Sequence, residues 1–213
     1  MKTRIFNLII LDESGSMQSI KQAAINGMNE TVQSIRDAQL KHEDQEHIIT
    51  LVSFNSSDVK TIYDNAPVAE VKELTGKEYM PSSLTPLYDA MGQSLNTLRP
   101  NVTSDDKVLV TIITDGEENS SSEYDSPAIK ALVEELKEAG WVFAYIGANQ
   151  DAVYVAQTIS VTNVMNFQAT DHGTSSMMSK LKKCRNRMWD KISEGTFMAC
   201  ESNIEFFNEG DEK

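Results

Sequence analysis

Three separated segments carry oxygen side chains whose types suit a hard cation. The first is Asp12-Glu13-Ser14-Gly15-Ser16, where the apolar run Leu8 to Leu11 stops at a carboxylate and hydroxyls follow at alternate positions. The second is "PSSLTPLYDAM" (81–91), with Thr85, and the third is "TDGEENSS" (114–121), with Asp115. Together they offer two carboxylates, Asp12 and Asp115, and three hydroxyls, Ser14, Ser16 and Thr85. In an extended segment, alternation puts the side chains of Asp12, Ser14 and Ser16 on one side. Magnesium takes oxygen ligands in near-octahedral geometry and keeps several waters, so a few protein oxygens suffice. Two carboxylates neutralise a divalent ion, and neutral hydroxyls leave it able to accept a further anionic oxygen. Such a site suits a carboxylate supplied by a partner.

The elements that must position these segments alternate along the chain. "RIFNLIIL" (4–11), "HIITLVSFN" (47–55), "KVLVTIIT" (107–114) and "WVFAYIG" (141–147) read as strands buried on both faces. "VKTIYD" (59–64) is more polar and suits a sheet edge, and "VTNVMNF" (161–167) is a further strand. Helical spacing covers 17–39, and Thr85-Pro86 and Ser126-Pro127 read as cap-then-proline starts of helices ending near Leu98 and Gly140. A short helix over 152–158 and one over 175–192 complete the pattern, with Met177, Met178, Met188 and Trp189 as core residues of the latter. The tail "NEGDEK" is expected to fray. The alternation predicts an α/β fold: a doubly wound, mostly parallel sheet with helices on both faces and one short antiparallel edge strand. In such sheets ligands bind beyond the carboxyl ends of the strands, where the three segments would emerge. One domain is expected, with 1–170 as core and 171–213 as a helix and tail packed on it.

At 213 residues the chain can bury a full core. A net charge of −13 argues against a nucleic-acid surface, which would show a basic stripe. The two cysteines, Cys184 and Cys200, do not make a disulfide scaffold, and free thiols are expected. The start "MKTRIFNLIIL" imitates a signal peptide, but Asn7 and Asp12 interrupt it and no small-residue cleavage site follows. No apolar stretch approaches the ~18 residues of a membrane helix. A cytoplasmic protein without nucleic-acid or membrane partners is the expectation.

The motifs D-x-S-G-S at Asp12–Ser16, T-P-L-x-D-A at Thr85–Ala90 and T-D-G at Thr114–Gly116 together resemble the von Willebrand factor A domain. They correspond to the three segments of its metal-ion-dependent adhesion site, and the resemblance spans roughly residues 4–168. It implies a Rossmann-like fold and a binding module in place of a catalyst. By the same resemblance, Ser14, Ser16 and Thr85 are direct or near-direct ligands, and Asp12 and Asp115 bind directly or through water. The "SGSM" ending resembles stand-alone intracellular bacterial members. Magnesium is the expected ion, with manganese or calcium as alternatives, and the expected partner is a protein presenting an Asp or Glu carboxylate.

Each segment alone also has a plain structural reading: Asp12 as a helix cap, Ser14 and Ser16 as loop hydroxyls, Thr85 as a cap. Asp89, one turn beyond Thr85, is either a support for the site or a surface acid. Glu13, Glu117 and Glu118 read as solvated loop charges, and His42, His47 and His172 as surface or strand-end histidines. Two other functions compete: a metal-dependent hydrolase or phosphatase, and a scaffold with a purely structural metal. Against hydrolysis, the three loops offer no histidine or lysine base, Ser14 interrupts a D-x-D pattern, and neither G-x-S-x-G nor a phosphate loop occurs.

Overall fold

In a computed structural model, which describes residues 2–148 and 152–208, six strands form one sheet in the order β3-β2-β1-β4-β5-β6. The strands are β1 (Thr3–Asp12), β2 (Gln45–Asn55), β3 (Asp58–Pro67), β4 (Lys107–Thr114), β5 (Trp141–Ala148) and β6 (Val164–Phe167). All neighbours are parallel except β2 and β3, which form an antiparallel hairpin at one edge. That edge strand has ten residues, longer than the short strand expected, and its pairing shifts register around Thr50.

Among the described residues, six α-helices cover the faces: α1 (Lys21–Lys41), α2 (Leu87–Leu98), α3 (Ser126–Glu138), α4 (Ala152–Thr158), α5 (Asp171–Ser193) and α6 (Ala199–Glu205). Alternation along β1 divides the core. Phe6, Leu8 and Ile10 pack with Leu87, Met91, Ile129 and Val133 of α2 and α3. Ile9 and Leu11 pack with Met28 of α1 and with Met177, Met178, Leu181 and Met188 of α5. Burying each of these large side chains stabilises by roughly 1.5–3 kcal/mol relative to exposure. Trp189 is fully buried beside Ile5 and Ile35, so the apolar residues of α5 are core, as their spacing suggested.

Several boundaries differ from the sequence reading. The amphipathic stretch after β1 opens as a 3-10 helix (Gly15–Ile20) before α1 begins. The α3 cap is Asp125, whose side chain accepts from the Ala128 N–H, and not Ser126. α5 starts earlier, capped by Thr170. Gly140 follows α3 at φ +90°, the left-handed exit expected of it. Short α6 was not anticipated because seven residues carry too little periodicity. Most of the tail expected to fray, from 209 onward, lies outside the described residues. No helix among the described residues is long and apolar enough to cross a membrane.

Candidate metal centre

The chain moves from β1 through α1 to β2 on one side, and β4 enters on the other side of β1. Strand order therefore reverses between β1 and β4, and a crevice opens beyond their carboxyl ends. Asp12 ends β1 and Asp115 follows β4, so the two acids emerge side by side at that reversal. Both are buried, as are Ser14 and Thr85.

Hydrogen bonds tie Asp12, Ser14, Ser16 and Asp115 together. Asp12 Oδ1 accepts from the Ser14 N–H at 2.6 Å, and Asp12 Oδ2 from the Thr114 hydroxyl at 2.6 Å. Ser14 Oγ and Ser16 Oγ lie 3.0 Å apart, and the Ser16 hydroxyl donates to Asp115 Oδ1 at 2.5 Å. Gly116 faces this group so closely that a Cβ there would lie 2.8 Å from Thr85 Oγ1, 3.5 Å from Ser16 Oγ and 3.6 Å from Asp12 Oδ2. One small region thus borders oxygens from all three loops, and any side chain at 116 would intrude on it.

Burial pushes the Asp12 carboxyl up to about 6, against the hydrogen bonds from Thr114 and Ser14, and neighbouring Asp115 adds to the rise. Burial also raises Asp115. Two carboxyls held together out of water are costly as a pair of anions, so a cation between them would relieve both. Among the described residues no three His, Cys, Asp or Glu side chains form a metal-holding group. A cation held by the two acids would take its other ligands from hydroxyls, backbone oxygens or water, and hard oxygen donors of this kind fit magnesium or manganese rather than softer ions.

The supporting contacts correct three sequence readings, those of Thr85, of Glu13 with Glu118, and of His47, and decide between the two left open for Asp89. Thr85 does not cap α2: the helix starts at Leu87 and has no side-chain cap bond at its N-cap position, Pro86. Its first donors are instead met by the third loop, with Tyr88 N–H donating to Glu118 Oε2 and Asp89 N–H to Ser121 Oγ. Thr85 is held through its backbone, its N–H donating to Asn119 Oδ1 at 2.9 Å and its carbonyl accepting from Asn119 N–H at 3.1 Å. Freed from capping, its hydroxyl can face the acids.

Asp89 is no surface acid. It is 7% exposed and accepts from the backbone N–H groups of Ser122, Glu123 and Tyr124, tying the third loop to α2. Nor are Glu13 and Glu118 solvated charges. Glu13 is buried and accepts from Met80 N–H, while Glu118 accepts from Ser120, Ser121 and Tyr88. Glu117 alone of the three is exposed. His47 is fully buried in β2, contacting Gln45, Asn7 and the edge of Trp189. None of the three histidines belongs to a loop of the site.

Sequence reasoning did not single out Tyr79, whose buried hydroxyl donates to the Asp12 carbonyl at 2.6 Å, or Asn119. For Asn119 a signal existed: "EENSS" is rich in groups that bond loop backbone. Tyr79 carried none, because its partner lies 67 residues away in sequence.

The profile of the von Willebrand factor type A domain matches residues 8–183. No curated protein matches the chain in sequence. Among solved structures, the PilB minor pilin of Streptococcus sanguinis superimposes with a TM-score of 0.57 at 12% identity, over 92% of this chain and 63% of the pilin. The open form of the pilus adhesin SpaC of Lactobacillus rhamnosus GG gives 0.62 at 13% identity, over 88% of this chain and 30% of the adhesin. The manganese-loaded TRAP protein of Plasmodium vivax gives 0.54 at 13% identity, over 84% and 71%. The chain thus spans less than two-thirds of the pilin and about a third of the adhesin, and these likenesses concern the fold. With more than half its length matched by the profile, the chain belongs to the von Willebrand factor type A domain family.

Proposed function

We propose that this protein is a metal-dependent interaction module, in which Asp12, Ser14, Ser16, Thr85 and Asp115 hold a divalent cation, magnesium first, that receives an Asp or Glu carboxylate of a partner protein. The observation that carries this reading is the crowding of Thr85, Ser16 and Asp12 oxygens around Gly116 at the β1–β4 reversal, with Ser14 and Asp115 bonded to Ser16. When bound, the cation supplies an electrophilic attachment point for an anionic oxygen. The chain's own residues do the rest. Asp12 and Asp115 supply two negative charges, the three hydroxyls supply neutral oxygens, and Thr114, Tyr79 and Asn119 fix the loops that carry them. The manganese carried by the TRAP protein supports a divalent ion for the family's fold. We read the module as a binder and not an enzyme, because no histidine or lysine stands in the loops to serve as a base. A cytoplasmic setting is part of the proposal.

The test is twofold. Magnesium or manganese should raise the melting temperature of chelator-treated protein, since the ion binds folded loops and not the unfolded chain. Asp12→Ala and Asp115→Ala should each abolish most of that shift. Partner capture should require the metal, and Thr85→Ala, which removes a hydroxyl but no charge, should weaken capture more than metal retention. Capture that survives both chelation and Thr85→Ala would make the metal structural. Turnover of phosphate or carboxylic esters that vanishes in Asp12→Ala would favour the hydrolase instead.

A further inference from the structure

Leu84 is an exposed apolar residue at the edge of the proposed metal centre. It directly precedes Thr85, so its Cα stands about 3.8 Å from that of a residue whose hydroxyl borders the acids. Leu84 is 53% exposed. Single apolar residues are ordinary on a protein surface, but this one is held in place from both sides. Its N–H donates to Ser56 Oγ at 3.1 Å, and its carbonyl accepts from the Ser56 N–H at 3.0 Å. The residue before it, Ser83, stands in the left-handed region at φ +67°, which costs a non-glycine residue free energy. The Ser83 carbonyl accepts from the Gly15 N–H at 3.0 Å, which ties this strained position to the first oxygen-bearing loop. Strain of this kind persists only where surrounding contacts over-determine the backbone. The result is a fixed loop that keeps a leucine in solvent beside the acids.

Charge sets a further limit on what can dock there. In the segments 12–20, 55–58, 81–91 and 114–121 the exposed charges are acids, Glu117 beside Gly116 and Asp58 after Ser57. None of these segments contains a lysine or arginine. An acid brought to the cation is neutralised by it, whereas a second acid beside the first meets only like charge. An apolar side chain meets Leu84. Because the loop is already ordered, contact with it costs little conformational entropy on this side.

On the reading of the metal centre given above, we infer that Leu84 is its specificity contact: the partner carries a single acid for the cation and, one or two positions away, an aliphatic residue that packs on Leu84. Successive residues of an extended segment advance by about 3.3 Å, so either spacing brings that side chain within reach of a leucine next to Thr85.

The experiment is an NMR titration of the full chain in magnesium with five short peptides, acetylated and amidated so that one glutamate supplies the only carboxylate. The parent is Gly-Gly-Glu-Gly-Gly, and each of the other four has one glycine replaced by leucine. All should bind only with magnesium present, with a Kd in the millimolar range expected of such small ligands. At least one leucine peptide should bind about fivefold tighter than the parent, as removal of part of one leucine from water implies. Leu84→Ser should bring that peptide within about twofold of the parent, and Leu84→Met, which restores an apolar side chain, should recover the difference. Exchanging a remaining glycine for aspartate should weaken binding, and Glu117→Gln should reverse part of that loss; an aspartate peptide that binds as tightly overturns the single-acid requirement. The magnesium-induced melting shift is read on each variant. Its retention in Leu84→Ser confines the effect to the peptide, and its loss places Leu84 in the support of the metal and overturns the inference. Four leucine peptides no tighter than the parent, or an advantage that survives Leu84→Ser, overturn the inference and leave the proposed function standing. No magnesium-dependent binding by any of the five overturns both.

Discussion

Asp89→Asn tests whether the third loop is held by α2. In the wild type, Asp89 Oδ1 accepts from Glu123 N–H at 2.9 Å and Tyr124 N–H at 2.8 Å, and Oδ2 from Ser122 N–H at 2.8 Å. Asparagine keeps one oxygen, so two bonds survive without the carboxylate's charge, and its N–H₂ then opposes the third donor. Bonds to a charged group contribute about 1.5–3 kcal/mol and neutral ones about 1, while an orphaned donor costs about 1–3. The expected loss is about 2–4 kcal/mol. Asp89→Ala should fall in the same range, because Ser122 and Glu123 lie at the surface where water can reach their N–H groups. For a chain of this size that is roughly 4–16 °C in melting temperature. Urea unfolding in chelator measures it, and magnesium titration of the variant should show at least tenfold weaker binding, since this loop carries Asp115. A loss below about 0.5 kcal/mol together with unchanged magnesium affinity would refute the reasoning.

Gly116→Ala should leave chelated protein folded yet cut magnesium affinity at least tenfold, because its Cβ would enter at 2.8 Å from Thr85 Oγ1; calorimetric titration checks this. His47 provides a pH dependence: burial depresses its folded value to about 4 from 6.5, so the unfolded chain binds the extra proton. Stability from this residue is therefore full above pH 6.5 and falls, by at most about 3 kcal/mol, as pH drops to about 4. His47→Gln should flatten that part of the stability profile, and an identical slope would count against it. Cys200, exposed, should react with a thiol reagent in the native state, whereas buried Cys184, whose thiol burial pushes up, should react only on unfolding. Mass spectrometry of the labelled protein distinguishes the two.

The sequence by itself determined the strands, the parallel class of the sheet and the three oxygen-bearing loops, since these are local. Apolar runs such as Val108 to Ile113 can be satisfied only by burial on both faces, and helical spacing between them forces parallel crossovers. Motif spacing around Asp12, Thr85 and Asp115 was legible for the same reason: each lies within a few residues of a strand or helix end. What the other loop residues do was decided only in three dimensions. Glu13, Glu118 and Asp89 look alike as acids near polar residues, and whether each is solvated or holds backbone depends on donors up to 67 residues away. The cap of α2 shows the same limit. Threonine before proline is a cap by local preference, yet Glu118 and Ser121 reach the first N–H groups across the crevice and leave the Thr85 hydroxyl free to face Asp12. Local propensity amounts to a few tenths to about 2 kcal/mol at such a position, and a charged side chain supplied by tertiary packing outweighs it.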